Sequence, residues 1–153
     1  MGVTQRSAAI KQARQDGGLT QQELASRAGI AQPNLAGYES GHRPVSAGLA
    51  ERLIRAARPR PSVVLRDHVD EVRRIAFRNG ATTVRVFGSV ARGDDRFDSD
   101  VDLLVQLRPG TSLFDLVTMT EEIESLLGCR IDIVSEGGLR DRDAGILTEA
   151  ILL

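Results

Sequence analysis

Along the first 57 residues, apolar positions recur at helical spacing in short bursts that glycines interrupt. Residues 5–15 predict a helix ended by Gly17-Gly18. Thr20-Gln21-Gln22-Glu23 is a capping box that opens a second helix, running to Ala28 with Gly29 as its stop. A third spans Gln32 to about Glu39, with Pro33 tolerated in its first turn and Gly41 beyond its end. Ser46 caps a fourth, which runs to Ala57. After that the period changes. Ser62 is expected to cap one helix through Leu65, Val69, Val72, Ile75 and Ala76, stopped by Asn79-Gly80. Thr82 to Phe87 reads as a strand, and Gly88 to Ser99 as a polar loop with one helical turn. Asp100 to Leu107 alternates as a second strand. Ser112-Leu113-Phe114-Asp115 caps a helix to Leu127, closed by Gly128, and Arg130 to Ser135 is a third strand. The chain is therefore expected to be α+β, a small all-α domain followed by a small mixed-sheet α/β domain.

Arg58-Pro59-Arg60-Pro61 divides the two patterns, since neither proline can continue a helix. The expected domains are 1–58 and 62–153, joined by a Pro-rich linker at 59–61. Charge follows the same division. Residues 1–60 carry nine Arg or Lys and four Asp or Glu, and the rest carry eleven and seventeen, within a net charge of −1. A basic front and an acidic back suggest modules with different partners. No apolar run approaches the roughly 18 residues of a membrane span, and no signal-peptide stretch is present. The single cysteine, Cys129, allows no internal disulfide. A cytoplasmic protein without a membrane partner is expected.

Two short helices about a glycine turn form a helix-turn-helix, with Leu24, Ile30 and Leu35 as shared core and the small Ala25 and Ala28 allowing close approach. The second helix would present Gln32, Asn34 and Gly37 outward. Gln and Asn pair bidentately with adenine, and Gln21 at a helix N-terminus suits a phosphate. A module used only for packing or dimerisation is the alternative. Gly18-Leu19-Thr20-Gln21-Gln22-Glu23-Leu24-Ala25, Gly29-Ile30 and Tyr38-Glu39-Ser40-Gly41-His42-Arg43-Pro44 resemble the lambda-repressor-like, or Xre-type, helix-turn-helix family. The resemblance implies a dimer on palindromic DNA, with Gln21, Gln32, Pro33, Asn34 and Arg43 as its contacts.

Asp100 and Asp102 are two apart on a strand and so share a face, and Asp132 sits between Ile131 and Ile133 on another. Three carboxylates meeting on one sheet surface would need a cation, and hard oxygen ligands favour Mg²⁺ or Mn²⁺. Gly88-Ser89 after a strand can bring backbone N–H groups to a phosphate, and Arg92 adds a planar cation. Together these suggest in-line attack on a nucleotide phosphorus. A calcium loop is excluded because its sixth and twelfth places hold Leu103 and Pro109. Asp94, Asp95 and Asp98 read as a solvated acidic turn. Gly-Ser, ten residues, then Asp-x-Asp is similar to the signature of polymerase-beta-like nucleotidyltransferases. Gly-Ser-x-Ala-Arg-Gly-Asp resembles their minimal nucleotidyltransferase branch. The resemblance implies that Gly88 and Ser89 hold a triphosphate, that Asp100, Asp102 and Asp132 hold metal, and that Asp132 can act as base. It also makes Leu139 to Leu153 a closing helix.

The resemblance to minimal nucleotidyltransferases, which often pair with HEPN-type toxins, also implies a partner. The resemblance implies an antitoxin that transfers AMP from ATP and Mg²⁺ to a tyrosine of its toxin and represses its own operon. It is expected as a homodimer or as a hetero-oligomer with the toxin. Three alternatives remain at this point: a binding-only repressor, a transferase acting on a small molecule, and one acting on RNA ends. One Tyr, four Phe and no Trp leave little for base stacking in the last.

Overall fold

The structure is a computed structural model that describes residues 2–140 and 143–153, except the side chain of Val3. It divides into two compact units, Met1–Pro59 and Arg60–Leu153.

The first unit holds α1 (Val3–Asp16), α2 (Gln21–Ala28), α3 (Gln32–Glu39) and α4 (Ala47–Ala56). The Thr20 side chain accepts the Glu23 N–H, and the Glu23 carboxylate accepts the Thr20 N–H, so both ends of the box are closed. Ser46 accepts the Leu49 N–H at the start of α4. Gly29 ends α2 in the left-handed region at φ +65°, where a side chain would be strained. Ile10, Leu24, Leu35, Val45 and Leu53 are buried as the core. Gly17 lies so close to the Ala57 carbonyl that a Cβ would collide with it, which brings the end of α1 against the end of α4.

The second unit begins with α5 (Pro61–Asp67) and α6 (Val69–Arg78), followed by β1 (Ala81–Phe87), α7 (Gly88–Arg92), β2 (Val101–Leu107), α8 (Leu113–Leu127) and β3 (Ile131–Ser135). A 3₁₀ turn at Glu136–Gly138, α9 (Ala144–Glu149) and β4 (Ile151–Leu152) close the unit. The sheet order is β3-β2-β1-β4. β1 is antiparallel to β2 and β4, whereas β2 and β3, joined through α8, are parallel. Val84, Val86, Val101, Leu103 and Val105 point to the face covered by α6 and α8, where Val72, Met119 and Ile123 complete the core. Alternation along β2 therefore turns Asp102 to the other face.

Three expectations are corrected. The helix expected from Ser62 breaks at His68, whose φ of −124° and ψ of 19° leave the helical region. Ser62 is not its cap. Pro61 is already the first helical residue, and the Ser62 N–H is taken by Asp95 Oδ2 at 2.9 Å. The closing helix expected over 139–153 is instead the short α9 and the two-residue β4. Asp141 and Arg142 lie outside the described residues. β4 forms because the chain edge of β1 is open, and Leu153 donates its N–H to the Val84 carbonyl there.

Candidate active site and nucleic-acid interface

Antiparallel register sets Phe87 opposite Asp102, and parallel register sets Asp102 opposite Asp132. The same pairing delivers Gly88, the first residue after β1, onto the Asp102 carboxylate. Gly88 has φ +68°, and a Cβ there would strike Asp102 Oδ2. Glycine is thus favoured by the backbone conformation, and a side chain there would also have to displace the Asp102 carboxylate. Asp102 is half-buried, and burial pushes its carboxyl above the usual aspartate range. Asp132 and Asp100 push it further, Arg92 opposes the shift, and Glu149 adds to it. Three carboxylates, Asp132, Asp100 and Glu149, thus act on Asp102 against one cation, Arg92.

Asp100 stands one residue ahead of β2 and not within it, and Asp132 is exposed on β3. Among the described residues, no group of three His, Cys, Asp or Glu side chains is arranged to hold a metal ion. The fit to a cation comes instead from the raised Asp102 and the paired places of Asp102 and Asp132. Ser89 lies in the first turn of α7, and its carbonyl accepts the Asp94 N–H at 3.1 Å. Arg92, at the last turn of α7, is exposed and already held by two carboxylates. Its Nε donates to Asp94 Oδ2 at 3.3 Å and its Nη1 to Glu149 Oε1 at 2.6 Å.

Two residues of this region escape sequence reasoning. Glu149, at the end of α9, carries no motif and enters the site only because the closing segment folds back on α7. Asp95, expected to be solvated with Asp94 and Asp98, is only 3% exposed. It serves as a distant cap for α5 and ties the α7–β2 loop to that helix. Position in an acidic run conceals it. The absence of a capping side chain at Arg60 is the one signal that another residue must supply it.

In the first unit, Gln21 and Gln32 belong to one network. Arg14 binds Glu39 through both Nε (2.7 Å) and Nη2 (3.0 Å), Gln21 Nε2 donates to Glu39 Oε2 at 2.9 Å, and Gln32 Nε2 donates to Gln21 Oε1 at 2.9 Å. Burial pushes the Glu39 carboxyl up, but the hydrogen bonds from Arg14 and Gln21 overcome this and hold it below its ordinary value. The N-terminal residues of α2 and α3 are thereby joined. Asn34 Oδ1 accepts from Arg43 Nη1, and Pro33 is exposed in the first turn of α3. Gly37, expected to face outward, is half-covered by Arg43.

Comparison with known proteins fits both halves. Residues 66–152 match the family described as nucleotidyltransferase domain, and residues 10–58 match that described as helix-turn-helix. A Methanocaldococcus jannaschii protein named as a protein adenylyltransferase is 35% identical over 92 residues, 55% of this chain and 96% of that one. Protein adenylyltransferase MntA of Thermococcus cleftensis is 39% identical over 77 residues, 50% of this chain and 75% of that one. A solved structure described as a minimal nucleotidyltransferase is 48% identical, covers 60% of this chain and 95% of its own, and superposes with a TM-score of 0.56. The chain belongs to the nucleotidyltransferase-domain family and is a nucleotidyltransferase that carries a helix-turn-helix domain ahead of its transferase domain.

Proposed function

We propose that this protein is the antitoxin of a toxin–antitoxin pair. It transfers AMP from ATP to a tyrosine of a cognate HEPN-type toxin and binds its own operator through the helix-turn-helix. The observation that carries the transferase reading is the register that sets Asp102 beside Asp132 and presses Gly88 onto the Asp102 carboxylate. Similarity to proteins named as protein adenylyltransferases supplies the AMP-transfer class. Asp100, Asp102 and Asp132 would hold Mg²⁺, which when bound neutralises their charge and polarises the α-phosphate. Gly88 and Ser89 would receive the triphosphate on the α7 backbone, and Arg92 would pair with it. The tyrosine oxygen then bonds to the α-phosphorus, the bond to pyrophosphate breaks, and Asp132 takes the hydroxyl proton. Operator binding uses Gln21, Gln32, Pro33, Asn34 and Arg43, and the basic balance of residues 1–60 supports it.

The test is transfer of AMP labelled at the α-phosphate to a co-purified HEPN protein encoded alongside. Label on the toxin with wild type and none with Asp102→Asn is expected. A stable complex with no label from either protein overturns AMP transfer and leaves neutralisation by binding.

A further inference from the structure

The recognition helix α3 contributes no side chain at Gly37, yet the space above it is filled. Arg43, from the loop beyond the helix, donates its backbone N–H to the Gly37 carbonyl at 3.0 Å. Its Cβ, Cδ and Cγ lie 3.3, 3.6 and 4.0 Å from where a Cβ on residue 37 would stand. The guanidinium donates to Asn34 Oδ1 and sits 6.0 Å from the centroid of the Tyr38 ring. Gln32 Nε2 donates to Gln21 and Asn34 Oδ1 accepts from Arg43, each amide keeping further hydrogen-bonding capacity.

We infer that Arg43 is a specificity-determining residue of the DNA interface and reads a guanine from the place a residue-37 side chain would otherwise fill. The inference rests on the operator-binding reading. The bond to Asn34 uses one of the five guanidinium donors, and the planar fork matches O6 and N7 of guanine. Asn34 and Tyr38 hold the side chain in place before DNA arrives, so little rotamer freedom remains to be lost on binding. Glycine at 37 is what leaves room for it, since any larger residue would press on Arg43 Cβ.

The experiment is selection from a library of random duplexes with the full chain as wild type, Arg43→Ala and Arg43→Lys, followed by affinities on the selected site across a salt series. Wild type is expected to select a guanine at one position of each half-site. Both variants should lose that preference by about ten-fold while keeping preferences elsewhere. Arg43→Lys should retain the wild-type salt dependence. A guanine preference unmoved in Arg43→Ala overturns the inference and leaves operator binding standing. So does a uniform loss over all sequences with a shallower salt slope, which marks a phosphate contact. No selected sequence with wild type overturns operator binding and this inference together.

Discussion

Asp102, proposed above to hold metal, shows what a half-buried carboxylate costs the fold around it. Its folded carboxyl titrates above the ordinary value of 3.8 because burial, Asp132 and Asp100 all disfavour the charged form. A raised acid gives a penalty that is absent below about 3.8, where the group is protonated folded and unfolded, and complete once pH passes the folded value. Asp102→Asn is therefore expected to melt higher than wild type at neutral pH in metal-free buffer. The gap should close as pH falls below 4, as differential scanning calorimetry would read it. Added Mg²⁺ should raise the wild-type melting temperature and leave the variant's unchanged. A variant that melts lower at neutral pH would make Asp102 a structural residue.

At the scale of elements, the α1–α3 junction depends on one ion pair. The Glu39 side chain is 3% exposed and Arg14 is 13% exposed, so removing the cation leaves a buried carboxylate with only the Gln21 amide donating to it. Arg14→Gln should cost the helix-turn-helix about 3 kcal/mol in urea unfolding followed by helical ellipticity. Glu39 has a lowered folded value, so the stability it contributes is present above the unfolded value of 4.5 and lost as pH falls through the folded one. Wild type should lose that increment in acid, and Arg14→Gln, which has already lost it, should not. The helices around this pair were legible in the sequence because their signals are local. Thr20, Ser46 and Ser112 each accept the N–H three residues on. The facing of Asp102 was legible too, through strand parity. What was not legible depended on distant partners. The break at His68, the cap that Asp95 supplies to α5 and the return of Glu149 onto Arg92 are tertiary contacts without local spacing to announce them. Arg43 over Gly37 is a fourth case, since the sequence marks only a missing side chain.

For the molecule as a whole, the two compact units are proposed to carry separate chemistries. Substitution in one should leave the other's binding intact. Asp102→Asn is expected to bind the selected operator with wild-type affinity and with the same linear fall of log affinity against log salt, measured by fluorescence anisotropy. An operator affinity changed more than about three-fold would mean that the transferase unit takes part in DNA binding.

Gly88 and Asp102 occupy one space, and that has a consequence for descent. The carboxylate stands where a Cβ at 88 would go, so residue 88 is confined by the acid as well as by its own backbone. In a lineage that abandons transfer and keeps only binding, loss of the acid at 102 removes the collision and leaves only the left-handed conformation to favour glycine. Asn and Asp tolerate that conformation best after glycine. Drift at 88 towards those two residues, following loss of the acid at 102, would be the fossil of a retired transferase.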